Sequence, residues 1–218
     1  MGAVAIGAGW GAIQIAGLEK VLIALFTSPI IGFIIGFLIL RLILLLCRAA
    51  SPRINTLFRK SQMVTALALA LSHGTNDAQK TMGIITLALV TGGYLTVFAV
   101  PIWVIILCAG MIALGTAVGG WKLIRTLGGR FFKIRPLDGF ASQLAGAAVI
   151  ITASLLGGPV STTQVVSSAI MGVGAAERVN KVRWGVAQEI AMAWLLTIPA
   201  TTLVGAGLYW VIIRLIPA

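Results

Sequence analysis

The stretch Ser72-His73-Gly74-Thr75-Asn76-Asp77-Ala78-Gln79-Lys80-Thr81-Met82-Gly83 interrupts the most apolar part of the chain. It follows the apolar run Met63 to Leu71 and precedes another from Ile84 to Val90. The one histidine of the sequence lies in it, with one of five acidic and one of sixteen basic residues. Ionisable groups at the depth of a membrane helix are costly and mark function by default. This polar island is therefore the first candidate for a working site, and it makes the helix that carries it a broken one.

The surrounding chain fits that setting. Of 218 residues, 59% are hydrophobic and 10% charged, with a mean hydropathy of +1.07. A soluble domain carries about 25% charged residues, so composition alone points to a membrane protein. The apolar runs are long and continuous rather than short alternations, which excludes a barrel. The expected fold is an all-α, polytopic helical bundle. A net charge of +11 would suggest nucleic acid in a soluble protein. Here the charges gather at the ends of apolar runs, where they report topology and the anionic bilayer surface. Nucleic acid is not an expected partner. Cys47 and Cys108 stand far apart in or beside apolar runs and make no metal or redox pattern. Met1 leads into Gly/Ala-rich sequence without a basic segment, so no cleavable signal peptide is expected.

Spans are expected over 21–47, 62–92, 96–118 and 184–213, with a re-entrant hairpin over 139–174. The loop over 47–61 holds Arg48, Arg53, Arg59 and Lys60 and no acid, which places it in the cytoplasm. Lys122, Arg125, Arg130, Lys133 and Arg135 make a second basic loop, and Arg178, Lys181 and Arg183 a third. Both ends of 139–174 are thus basic, which excludes a single crossing between them. Gly157-Gly158-Pro159 breaks this region ahead of Ser161-Thr162-Thr163, and irregular backbone at depth must be buried in protein or line a cavity. The C-terminus would lie outside.

An internal repeat is expected. Ile6-Gly7-Ala8-Gly9 is similar to Met171-Gly172-Val173-Gly174 at an offset of 165, and Thr27-Ser28-Pro29 to Thr197-Ile198-Pro199 at an offset of 170. On that basis 1–46 is the tail of a first repeat and 62–213 the second. Secondary transporters are commonly built this way, with the site between repeats.

Two polar clusters carry the chemistry. Ser161, Thr162 and Thr163 open a helix after Pro159, offering hydroxyls and free amides to an anion such as phosphate; an ordinary helix cap would use the same residues. Asn76 and Asp77, with Ser72 and Thr75, supply oxygens for a hard cation, or in Asp77 a proton acceptor. His73 and Asp77 are four apart and meet on one face if the helix continues there. His73 and Lys80 are supporting residues, Lys80 by pairing with Asp77. Glu189 lies about a turn and a half inside the last span and is interfacial or coupling. No HExxH motif and no second histidine exists, so an intramembrane enzyme is not expected.

SHGTNDAQKTMG resembles the signature of the inorganic phosphate transporter family (the PiT group), whose usual core is Gly-Ala-Asn-Asp in a broken helix; Thr75 stands for the alanine. GGPVSTTQVVSSAIMGVGA resembles that family's second signature, Pro-Val-Ser-Thr-Thr-His, with Gln164 in place of the histidine. The Thr-x-Pro of the last span and Gly115 to Gly128 also fit. The resemblance implies an inverted-repeat symporter of bacterial or archaeal cell membranes. It would move phosphate at low affinity with Na⁺ or H⁺, free or as a metal–phosphate complex, with no cofactor. Carried over, Asn76 and Asp77 would serve cation and phosphate, and Ser161, Thr162 and Thr163 would hold phosphate from the hairpin tip. The family has both signatures in each repeat, whereas this chain has one of each. A homodimer, or a separate N-terminal half, is therefore an expected partner. The alternative is a non-transporting membrane subunit or remnant.

Overall fold

A computed structural model describes residues 1–49, 54–129 and 131–215, with the backbone alone for 122–129. Arg53 and Arg130 lie outside the described residues, as do the side chains of Lys122 and Arg125. All regular structure among the described residues is helical. It comprises α1 (Gly2–Gly7), α2 (Ile15–Leu46), α3 (Ile54–Thr91), α4 (Ile102–Gly129), α5 (Pro136–Leu155), α6 (Thr162–Glu177) and α7 (Trp184–Leu215). Single 3-10 turns at Trp10–Ala12 and Val179–Lys181 precede α2 and α7. By length and composition α2, α7, α5 and the Ile102–Trp121 part of α4 can each cross a membrane.

The expected break in the helix of the polar island does not occur: α3 runs unbroken from Ile54 to Thr91. The polar side chains are satisfied without it. Ser72 and Thr75 return their hydroxyls to the carbonyls of Ala68 and Leu71 one turn back, and the others find partners on the hairpin. An interruption is needed only where backbone groups must be freed, and here side chains do the work. At 38 residues and about 1.5 Å each, α3 is ~57 Å long, well beyond a hydrocarbon core of ~30 Å.

The hairpin does form. α5 and α6 pack side by side, joined by a turn in which Gly157 takes a φ of +67°, a conformation that favours glycine. Their bases are tied by ions. Asp138, 1% exposed, takes Lys181 Nζ at 3.2 Å and Arg135 Nε at 3.4 Å on one oxygen. Glu177 takes Arg135 Nη2 at 2.5 Å and also pairs with Lys181. Burial works to lower the pKa of Arg135, but the hydrogen bond and charge of Asp138, then those of Glu177, outweigh it and hold the pKa above the ordinary value. Both bases therefore lie at one end of the bundle, as the basic loops require. α6, with 16 residues, spans ~24 Å and is too short to cross.

The hairpin is held between α2 and α3. On α2 the buried residues Ser28, Gly32, Gly36 and Leu40 recur every fourth position and form one stripe against α6. A Cβ on Gly32 would sit 2.5 Å from Ser168 Oγ, and one on Gly36 2.5 Å from the Ala169 carbonyl. Between helices in lipid there is no hydrophobic drive, so close approach of small residues carries the association. Phe58 stacks on Phe140 across α3 and α5, with ring centroids 5.3 Å apart, and Thr65 donates to Gln143 at 2.8 Å. α4 packs on α3 and begins after Pro101, later than the expected 96.

Two stretches of the chain are alike in their elements. α2 and α7 are both 32 residues long, each with one internal proline, Pro29 and Pro199. Each follows a 3-10 turn and a helix rich in small residues. The packing is crossed: α6 lies on α2, and α1 lies on α7, where a Cβ on Gly2 would strike the Thr202 carbonyl. Gly172 is likewise pressed on the Phe33 carbonyl. Gly2 and Gly172 thus make like contacts, each against a backbone carbonyl of a long helix.

Candidate functional site

His73, Asp77 and Lys80 are spaced i, i+4, i+7 and so fall on one face of the unbroken α3. That face meets the turn and first residues of α6. His73 Nε2 lies 3.0 Å from Asp77 Oδ2, and the Thr162 hydroxyl donates to the same oxygen at 3.2 Å. Thr162 Oγ1 also stands 3.4 Å from His73 Nε2. Lys80 Nζ is 3.2 Å from Asp77 Oδ1 and donates to the Val160 carbonyl at 2.8 Å. One carboxylate thus gathers an imidazole, an ammonium and a hydroxyl, and links α3 to the tip of the hairpin.

The same geometry turns Ser72 and Asn76, also one turn apart, onto the adjoining face of α3. Both are buried. Asn76 Nδ2 donates to Ser154 Oγ at 2.9 Å in the last turn of α5, while Asn76 Oδ1 is buried without a protein partner. Thr75 points away from this face and is exposed. Ser72 and Thr75 spend their hydroxyls on their own helix and do not reach Asp77.

The three hydroxyls at the start of α6 part company as well. Ser161 is the N-cap but its side chain makes no capping bond, Thr162 is 2% exposed and joins Asp77, and Thr163 is exposed. Gln164 is buried, with an unpartnered Oε1; no bond joins it to the cluster. Glu189 lies exposed on α7, apart from it. Asp77, His73 and Lys80 keep 35%, 39% and 47% of their side-chain surfaces exposed, so the cluster is open on one side.

Three participants were not found by sequence reasoning: Ser154, the Val160 carbonyl, and the ion network of Asp138 and Glu177. Ser154 looks like any polar residue at a helix end, and a carbonyl leaves no trace in sequence. Asp138 did carry a signal. Arg135-Pro136-Leu137-Asp138 has proline at the first helical position and an acid two residues on, and the structure closes it as a reciprocal cap.

Chemically, this is a carboxylate with exchangeable cationic and protic partners beside a helix N-terminus. The first-turn amides of α6 lack intrahelical acceptors and suit an anion; Asp77 suits a proton or cation.

Comparison with known proteins bears on what that pairing serves. The chain is 43% identical over 213 residues to the "Probable low-affinity inorganic phosphate transporter" of Bacillus subtilis, covering 97% of this chain and 64% of that one. It is 44% identical to the protein of the same description from Rhizobium meliloti, covering 93% of this chain and 61% of that one. The chain therefore spans about three fifths of the length of these curated relatives. In fold, a solved structure titled "The sodium-dependent phosphate transporter" superposes with a TM-score of 0.87 at 22% identity, over 99% of this chain and 72% of that one. The model of the phosphate transporter family matches residues 46–205, which include the α3 cluster, the whole hairpin and most of α7. By that match, and by relatives over 40% identical along nearly its full length, this multi-pass membrane chain belongs to the phosphate transporter family.

Proposed function

We propose that the chain carries the second-repeat half of a phosphate:cation symport site and moves inorganic phosphate across the cell membrane. The observation that carries this reading is the bond from Thr162 to Asp77. It puts the cation-type carboxylate of α3 directly against the anion-type N-terminus of α6. Phosphate held by the first-turn amides, Ser161 and Thr162 would lie beside a carboxylate of its own charge. Lys80 offsets part of that charge, and a proton or Na⁺ on Asp77 removes the rest, so that ion and phosphate favour each other's binding, which is the elementary requirement for symport. Asn76, with its unpartnered buried Oδ1, supplies a further neutral oxygen to the cation. Ser72 and Thr75 give their hydroxyls to their own helix, and the buried Oε1 of Gln164 is, like Asn76 Oδ1, without a protein partner.

The open side of the cluster supports a second element of the same reading. Ligands from a first repeat, in the same polypeptide, in a separate N-terminal half or in a second copy, would close it there.

The test is uptake of radiolabelled phosphate by cells stripped of their own phosphate transporters, at varied pH and at varied sodium. The chain restores uptake; Asp77→Asn and Thr162→Ala lower it tenfold or more. Restored uptake that both variants leave intact would sink the site. If the chain restores uptake only with a separately expressed first-repeat half, the non-transporting-subunit alternative stands.

A further inference from the structure

Lys80 does more than neutralise Asp77. Its ammonium is shared between Asp77 Oδ1 at 3.2 Å and the Val160 carbonyl at 2.8 Å. Val160 is the residue before Ser161 and is itself buried at 7% exposure. It belongs to the turn 157–161, which has few other ties to α3. Within the turn, Gly158 donates to the Ala153 carbonyl at 2.8 Å and Val160 to the Gly158 carbonyl at 3.0 Å. Those bonds shape the turn but do not hold it to α3. The ties that do are Lys80 to Val160, Thr162 to Asp77, and Thr162 to His73. Lys80 and Thr162 each also bond the Asp77 carboxylate, whereas the bond from Asn76 to Ser154 ties α3 to the last turn of α5 without it.

We propose that Lys80 is a tethered cation that latches the hairpin tip to α3 while Asp77 is free of its coupling ion. The inference rests on the transporter reading of the site but concerns a different property, the mobility of the tip. An ammonium on a flexible stem points where the charge is. With Asp77 ionised, Lys80 is drawn between the carboxylate and the carbonyl, and the turn is pinned. A proton or Na⁺ on Asp77 removes the pull on Lys80 and weakens the Thr162 bond in the same step. The tip is then released when the ion is bound, and held when it is not. Such a latch opposes movement of an ion-free or half-loaded site, which a symporter must avoid. The charged or titratable groups in this cluster are Asp77, His73 and Lys80, all on α3; the hairpin contributes hydroxyls and a carbonyl. Lys20 of α2 lines the cavity on the other side of the turn, with Gly157 to Val160, and has no bond to Asp77. Lys80 is a positioning residue in this scheme.

The experiment is backbone hydrogen exchange of the full chain in lipid nanodiscs, read by mass spectrometry on peptides covering 156–163. It needs no transport and so stands apart from the uptake test. Lys80→Gln speeds exchange of the turn about tenfold, the scale of losing a charged hydrogen bond. Lys80→Arg keeps a cation on a long stem and stays near the parent rate. Asp77→Asn, which imitates the neutral carboxyl, speeds the turn as Lys80→Gln does, and the double variant is no faster than either. Peptides covering 165–176, on the α2–α6 seam, keep their protection throughout. An unchanged turn in Lys80→Gln overturns the latch, as does Lys80→Arg behaving like Lys80→Gln. If Lys80→Gln loses the seam as well, Asp77→Asn decides, and a turn as protected as in the parent overturns the proposal.

Discussion

At the scale of single residues, this chain places its charges either in reciprocal pairs or at a face left open. Asp138 belongs to the first kind. Its Oδ2 accepts from Arg135 and Lys181, while Oδ1 is buried without a partner. Asp138→Ala leaves Lys181 with Glu177 and the Phe132 ring, and removes one of the ties between α5 and the segment after α6. Because Arg135 is half exposed and Lys181 is 22% exposed, the loss falls below that of a fully buried pair, at about 2 kcal/mol. It is read as a lowered midpoint of thermal unfolding in detergent. Asp77 belongs to the second kind. Its charged partners His73 and Lys80 are local and part exposed, and only the buried Thr162 reaches it from the hairpin, so Asp77→Asn costs little stability and acts on function. The contrast between the two aspartates separates scaffold from site: one variant lowers the melting point and spares the residual uptake per folded molecule, the other does the reverse.

At the scale of elements, close packing of glycine explains which helices hold still. Gly36→Leu must push α6 off α2, since even a Cβ there would lie 2.5 Å from the Ala169 carbonyl. Loss of folded protein in a fluorescence size-exclusion assay is the expected result. Gly110→Ala on α4, where no atom stands within 4 Å of the new Cβ, leaves that yield unchanged or slightly higher. Much of this level was legible in the sequence. The long helices, the hairpin, its glycine turn and the His73–Asp77 face all follow from apolar runs, glycine-proline breaks and a four-residue spacing. The break in α3 was misread, because a polar island in an apolar run has two physical solutions. The backbone can open, or side chains can find partners on a neighbour. Ser154, Val160 and Thr162 are those partners, and each lies about eighty residues or more away along the chain. Spacing along one helix is local information; which carbonyl a lysine will meet across a bundle is not.

At the scale of the whole molecule, α1 packs on α7 and α6 on α2, and the hairpin joins α2 to α3. Basic residues at both hairpin bases predict that the two lie on one side of the membrane. Cysteines introduced singly at Lys133 and Arg178, in a chain whose Cys47 and Cys108 are replaced by alanine, should therefore react with an impermeant maleimide from the same side. A cysteine at Tyr94, in the turn between α3 and α4, should react from the other. Labelling of positions 133 and 178 from opposite sides would contradict the re-entrant reading.

Whether the α3 carboxylate and the α6 hydroxyl act as one site is tested by a double-mutant cycle on phosphate uptake. Initial rates are compared for the parent chain, Asp77→Asn, Thr162→Ala and the double variant, each corrected for the amount in the membrane. Residues serving one step together predict a double variant no slower than Asp77→Asn alone. Losses that multiply, as for two independent positions, would contradict the account.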